Sequence, residues 1–246
     1  MSNAHVHASN SESIRSMFSS ISGRYDLANT VLSLGTHHGW RKAVVRLSGV
    51  RNGMKVLDCA TGTGDLAFEF ERAVGGAGTG AEVIATDFCE PMLEQGVAKG
   101  RARGSAVKFQ VADVMNLPFE DSRFDAASIS FGIRNVADPV KGISEMGRCV
   151  RPGGIVMVLE FGQSRVPVWG SLFDFYSKNI LPTLGGIVTG KPDAYKYLQR
   201  SSAHFPCRDE FLAMAGRMGL FDDMSYTSLM GGIAYAYRLR RKGAAQ

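Results

Sequence analysis

The chain has 246 residues, 45% of them hydrophobic, which is enough for one large α/β domain with a proper core and too apolar for a disordered chain. The net charge of +5 is modest, and apart from the run Arg238-Leu239-Arg240-Arg241-Lys242 the basic residues are dispersed, which argues against a nucleic-acid groove. No apolar run reaches the ~20 residues of a membrane span, and Cys59, Cys89, Cys149 and Cys207 lie too far apart for a disulfide framework or a metal site.

Residues 1–12 are polar, carry His5 and His7 and lack a basic-plus-apolar leader pattern, so they read as a flexible arm before a single domain over 13–246. Over 13–50, apolar residues at mixed three- and four-residue spacing (Ile14, Met17, Phe18, Ile21) predict a helical cap broken at Gly23 and Gly35. Strands are expected near 54–58, 82–87, 106–111, 125–131 and 154–160, and helices near 64–73, 91–101 and 138–150. Such alternation implies a parallel sheet with helices on both faces. Residues 166–200 leave the pattern: Trp169, Phe173, Phe175, Tyr176, Tyr195 and Tyr197 predict an aromatic, helical insertion, interrupted at Pro182 and Gly185-Gly186. A helix near 208–218 and two antiparallel strands near 220–228 and 232–240 close the chain. In the last strand Ile233, Tyr235, Tyr237 and Leu239 should face one way, and Ala234, Ala236 and Arg238 the other. The basic run at its end reads as a solvated tail.

The most informative stretch is Val56-Leu57-Asp58-Cys59-Ala60-Thr61-Gly62-Thr63-Gly64-Asp65: an apolar strand, a tight glycine turn and the start of a helix. A second strand, Val83-Ile84-Ala85-Thr86-Asp87, ends in an acid. Gly62 and Gly64 let the backbone approach a bulky ligand, and Asp87 can accept both hydroxyls of a ribose cis-diol. With Ala67 the turn nearly satisfies the dinucleotide fingerprint, but a diphosphate there would be repelled by Asp58. A sulfonium cofactor with an amino-acid moiety presents a positive sulfur and an ammonium instead, which suit Asp58 and Asp65. Capping of the next helix is the alternative role of these two acids. Met92 sits where an apolar side chain can pack on adenine or fill the core. Asp113, after a third strand, can read the adenine edge. Acids at three successive strand ends all face the carboxyl edge of the sheet, where ligands bind in this architecture.

Further segments narrow the reading: Arg24-Tyr25-Asp26-Leu27-Ala28-Asn29, Leu32-Ser33-Leu34-Gly35, Trp40-Arg41, Ser130-Phe131-Gly132-Ile133-Arg134-Asn135-Val136, Arg151-Pro152-Gly153-Gly154 and Leu159-Glu160-Phe161. From about residue 17 to 238 the chain resembles the class I S-adenosylmethionine-dependent methyltransferases, and more narrowly the quinone-ring C-methyltransferases of menaquinone and ubiquinone biosynthesis. The resemblance implies a Rossmann-like α/β fold with a seven-stranded, mostly parallel sheet, an N-terminal helical cap and a helical insertion after the fifth strand. It implies S-adenosylmethionine as cofactor, with Thr63, Asp87, Asp113 with Val114, and Ser130 at cofactor-binding positions. The implied substrate is a polyprenylated quinol. The residues do not separate the menaquinone from the ubiquinone precursor.

Methylation of a ring carbon needs alignment and either a base or a group that stabilises a phenolate-like oxygen. Arg134 is the first candidate, as an oxyanion stabiliser, because a guanidinium stays protonated. Tyr25 is the second, as a hydrogen-bonding phenol. Asn135 can orient substrate or loop, and Glu160 can support from behind. His37 and His38 titrate in a useful range, with a surface position as the default reading. No metal is expected. The aromatic insertion suits a greasy lid, a surface at the bilayer interface or plain packing over the sheet. A cytoplasmic location is expected, and peripheral membrane contact and a homodimer are both compatible with the sequence. Two other readings use the same residues: another small-molecule methyltransferase, and a cofactor-binding scaffold without catalysis. The intact acids at three strand ends speak against the scaffold.

Overall fold

The computed structural model describes residues 3–75, 78–167, 170 and 175–243. Five strands run parallel, β1 (Lys55–Cys59), β2 (Glu82–Asp87), β3 (Lys108–Val111), β4 (Phe124–Ser130) and β5 (Val150–Phe161). β6 (Phe221–Leu229) and β7 (Ala234–Arg241) follow, and β7 lies antiparallel to both β5 and β6. The sheet order is β3-β2-β1-β4-β5-β7-β6. The chain therefore leaves β1 toward β2 and β3, then returns past β1 to β4. That reversal opens a crevice at the carboxyl ends of β1 and β4.

Helices cover both faces, as the alternation of strands and helices predicts. On one face lie α3 (Thr36–Ser48), after the cap helices α1 (Asn3–Ile21) and α2 (Tyr25–Leu32), then α4 (Asp65–Val74) and α5 (Glu90–Arg103). Trp40, Val44, Leu66 and Phe70 bury there against Val56, Val83 and Met157. The other face is covered by α6 (Pro139–Cys149) and, after α7 (Leu181–Thr189) and α8 (Pro192–His204), by α9 (Asp209–Gly216). Ile143, Met146 and Phe211 pack there on Leu57, Ile129 and Val158. The period of two along β1 thus sends Val56 one way and Leu57 and Cys59 the other, which puts Asp58 on the side of the cap.

Several expectations are corrected. Residues 1–12 were expected to form a loose arm, but helical backbone begins at Asn3. No Gly or Pro interrupts 3–21, and Ile14 and Ile21 anchor its later turns in the interior. The Gly185-Gly186 pair does not break the insertion. Pro182 sits in the first turn of α7, where its missing N–H costs nothing, and the helix ends at Gly190, in the left-handed region. Trp169 and Phe173 lie outside the described residues, as does the side chain of Tyr195. In β7, Tyr235, Tyr237 and Leu239 share one face as expected, but Ile233 packs with Ala234 and Ala236 on the other. It precedes the strand with a helical backbone, so the alternation does not reach it. The basic run is no solvated tail: Arg238 and Arg240 are strand residues that pair with Asp223 and Asp222 of β6.

The insertion lies on the cap. Ala28, Leu32 and Ala194 form a small buried cluster with Tyr176, Leu184 and Leu198, and Tyr176 Oη donates to Leu32 O at 2.8 Å.

Candidate active site

The carboxyl ends of β1 and β4 meet the cap and the insertion around one cavity, lined by residues from 17 to 198. A smaller adjoining pocket holds Asp87, Phe88, Met92, Ser130 and Asn135. The loops that form the floor are strained. Ala60 after β1 and Phe131 after β4 have φ of +47° and +53°, in the left-handed region that a non-glycine residue adopts at a cost of about 1–3 kcal/mol. In the turn itself Gly62 and Gly64 have φ of +59° and +85°, which glycine adopts freely. A Cβ on Gly62 would lie 3.6 Å from Met92 Cε and 3.8 Å from Tyr25 Cε1, so turn, helix α5 and cap converge at one point.

The acids differ in what already holds them. Asp58 is buried and accepts from Ser128 Oγ and Thr61 Oγ1, both at 2.6 Å. Burial nevertheless pushes its carboxyl up to about 6 against those two hydrogen bonds. Asp87 accepts the Gly62 N–H at 2.8 Å and the Cys89 N–H at 2.9 Å, which pins the end of β2 to the turn. Burial raises its carboxyl too. Each Asp87 oxygen keeps a second lone pair for a ribose hydroxyl. Asp87 is not the cap of α5; that position is Cys89, without a side-chain bond.

Asp65 lines the cavity but does not offer the free negative charge the sequence suggested. Lys99 Nζ bonds its Oδ1 at 2.5 Å, and Arg41 Nη1 lies 3.1 Å from its Oδ2. Burial alone would raise this carboxyl; Arg41 and Lys99 together hold it below the usual range. Lys99 also bonds Asp26 Oδ2 at 2.8 Å and Thr63 Oγ1 at 3.0 Å, while Thr63 Oγ1 donates to Asp26 Oδ1 at 2.6 Å. This network ties the cap to the turn and places the cation Arg41 where an amino-acid carboxylate can meet it. Asp113 stands apart: it is exposed, accepts from the Met115 N–H at 2.8 Å and lines neither cavity, while Val114 is buried in the core.

The catalytic candidates come together. Arg134 Nη1 donates to Glu160 Oε1 at 2.6 Å and to Phe131 O at 2.7 Å, and the pair is almost wholly buried, at 5% and 1% side-chain exposure. Burial pushes the Glu160 carboxyl up against the pull of Arg134. Arg134 Nε is the one buried side-chain nitrogen or oxygen among the described residues without a hydrogen-bond partner. Such an orphan donor is costly unless a ligand supplies an acceptor. Tyr25 is buried beside Asn29, and burial raises its phenol, so it stays a donor at neutral pH. Asn135 Oδ1 accepts from Tyr197 Oη of the insertion at 3.1 Å.

Sequence reasoning missed two kinds of residue. Trp40, Phe131 and Phe161 form an aromatic wall, with ring centroids 4.3 to 6.3 Å apart. His37, expected at the surface, is buried in the cavity lining with Nδ1 2.5 Å from Ser33 Oγ; His38 is the exposed one. The only signal in the sequence is that His37 lies three residues before Trp40, on the same face of a helix.

Known proteins share this fold and, at higher identity, this sequence. A structure of a SAM dependent methyltransferase from Aquifex aeolicus shares the fold at a TM-score of 0.58 and 17% identity, over 82% of this chain and 89% of that one. A ubiquinone/menaquinone biosynthesis C-methyltransferase UbiE from Bdellovibrio bacteriovorus is 56% identical, over 94% of this chain and 97% of its own length. Its counterpart from a Geobacter species is 41% identical over 92% and 95%. The family model of the ubiE/COQ5 methyltransferases matches residues 6–239. With that coverage and identity, the chain belongs to the ubiE/COQ5 methyltransferase family.

Proposed function

We propose that the protein transfers the methyl group of S-adenosylmethionine to a ring carbon of a polyprenylated quinol, of the demethylmenaquinol or ubiquinol-precursor class. One observation carries this reading: the cavity at the glycine turn combines an aromatic wall with a guanidinium fixed in its lining by Glu160. When bound, the donor supplies an electrophilic methyl group on an excellent leaving group. The chain itself binds and aligns. Asp87 takes the ribose hydroxyls, Met92 and Ser130 flank the adenine, and Asp58 faces the positive end of the cofactor. Trp40, Phe131 and Phe161 hold a flat ring and keep water out. Arg134 meets the substrate oxygen as negative charge develops there, and Tyr25 and Asn135 orient the same group.

The cap at 13–50 and the insertion at 166–200 act as the substrate cover. Exposed apolar side chains on both, Leu34 at 81% and Ile187 at 73%, support contact with the bilayer interface that a prenyl tail requires. Among the described residues no helix is long and apolar enough to cross a membrane.

Incubation with methyl-labelled S-adenosylmethionine and each reduced precursor tests the assignment. Label is expected in a quinol ring carbon; label in neither quinol would end it.

A further inference from the structure

We propose that His37 is the proton acceptor of the methyl transfer, its Nε2 taking the proton that a quinol hydroxyl gives up as the adjacent ring carbon attacks. This inference rests on the quinol reading above. Its ground is a chain of hydrogen bonds that fixes one tautomer. Ser33 Oγ donates its single hydrogen to Asn29 O at 2.6 Å. The same Oγ lies 2.5 Å from His37 Nδ1, so in that contact the hydroxyl must accept and Nδ1 must carry the hydrogen. The neutral ring then has its lone pair on Nε2, which bonds no described residue and, unlike Arg134 Nε, is not sealed from the cavity. Asn29, Ser33 and His37 line the same cavity as Tyr25 and Arg134.

The ring is also kept unprotonated. Burial first, then Arg41 and His38, lower His37 to about 4, against the opposing pull of Asp65 and Asp26. These groups come from α2, α3 and α4, the elements around the ring, and together they leave the imidazole neutral at physiological pH. Arg134 and His37 then divide the work: the guanidinium stabilises the oxygen that loses the proton, and the imidazole removes it.

The step balances without an oxidant or reductant. The hydroxyl O–H breaks, and its proton goes to Nε2. Ring electrons form the new C–C bond, and the C–S bond breaks with its pair left on sulfur. The hydrogen of the methylated carbon then leaves to restore the hydroxyl, and the imidazolium returns its proton to water. One proton is released per methyl group transferred.

Turnover of the reduced precursor by wild type and by His37→Gln and Ser33→Ala, from pH 5.5 to 9.5, tests the assignment, with cofactor affinity measured by calorimetry. His37→Gln should lower kcat roughly 10²–10⁴-fold at pH 7 with unchanged affinity for S-adenosylmethionine. Its remaining activity should climb about tenfold per pH unit as ionised quinol takes over, whereas wild type stays nearly flat above pH 6. Ser33→Ala, which frees the tautomer, should lower kcat without changing cofactor affinity, and it carries the test if the glutamine variant does not fold. A pH profile parallel to wild type, unchanged kcat in the folded variant, or a loss confined to cofactor affinity would overturn the proposal. Failure of wild type to methylate either quinol would instead overturn the reading on which it rests.

Discussion

Arg134→Met is expected to lower turnover by roughly 10²–10³-fold, the usual effect of removing one donor aimed at developing negative charge. The same substitution should lower stability by about 3 kcal/mol, because it leaves Glu160 buried and uncompensated. The two effects separate in a double variant. Arg134→Met with Glu160→Gln should recover most of the stability in urea unfolding and none of the activity. The reason lies in the geometry: Nη1 is spent on Glu160 and on Phe131 O, which holds the guanidinium still in the cavity lining. Activity restored along with stability would reduce Arg134 to a structural prop.

The second large effect is a pH dependence at Asp58. Its carboxyl sits at about 6 in the folded protein, above the ordinary value of 3.8, because burial outweighs the bonds from Ser128 and Thr61. The folded state therefore binds this proton more tightly than the unfolded chain does. Stability gained from it is complete below the unfolded value and is lost as pH rises through about 6, by on the order of 3 kcal/mol. Asp58→Asn should thus stabilise the ligand-free protein at pH 7.5, less whatever the changed hydrogen bonding costs. Binding of a cationic ligand requires the ionised form. Affinity for S-adenosylmethionine should fall as pH drops below about 6, tending to tenfold per unit, and the asparagine variant should lose both that dependence and much of the affinity. Calorimetric titrations from pH 5 to 8 check this; affinity flat across that range in wild type would contradict it.

Much of the fold was legible because its signals are local. β1 and β2 are short apolar runs that lead to a glycine turn or an acid, and each is followed by a helix within a few residues. The glycine turn and the acids on β1 and β2 follow from that order, since parallel strands bring their carboxyl ends to one edge. What was not legible depends on distant partners. Asp65 reads as a free acid until Arg41 and Lys99 are seen against it, and Lys99 reaches Asp26 across 73 residues of sequence. His37 is buried because the cap folds down onto the sheet and the insertion folds down onto the cap, which no local pattern states. The Gly185-Gly186 pair failed as a break for the same reason. A helix packed on the cap through Leu184 keeps its backbone ladder, with Gly190 N–H bonding Gly186 O at 2.7 Å.

The most direct measurement is a crystal structure of the protein with S-adenosylhomocysteine. The ribose diol should lie on Asp87, the adenine beside Met92, and the amino-acid end between Asp58 and Arg41, with the sulfur turned toward the aromatic wall. A nucleoside bound elsewhere, or a ribose that leaves Asp87 untouched, would contradict the account at its root.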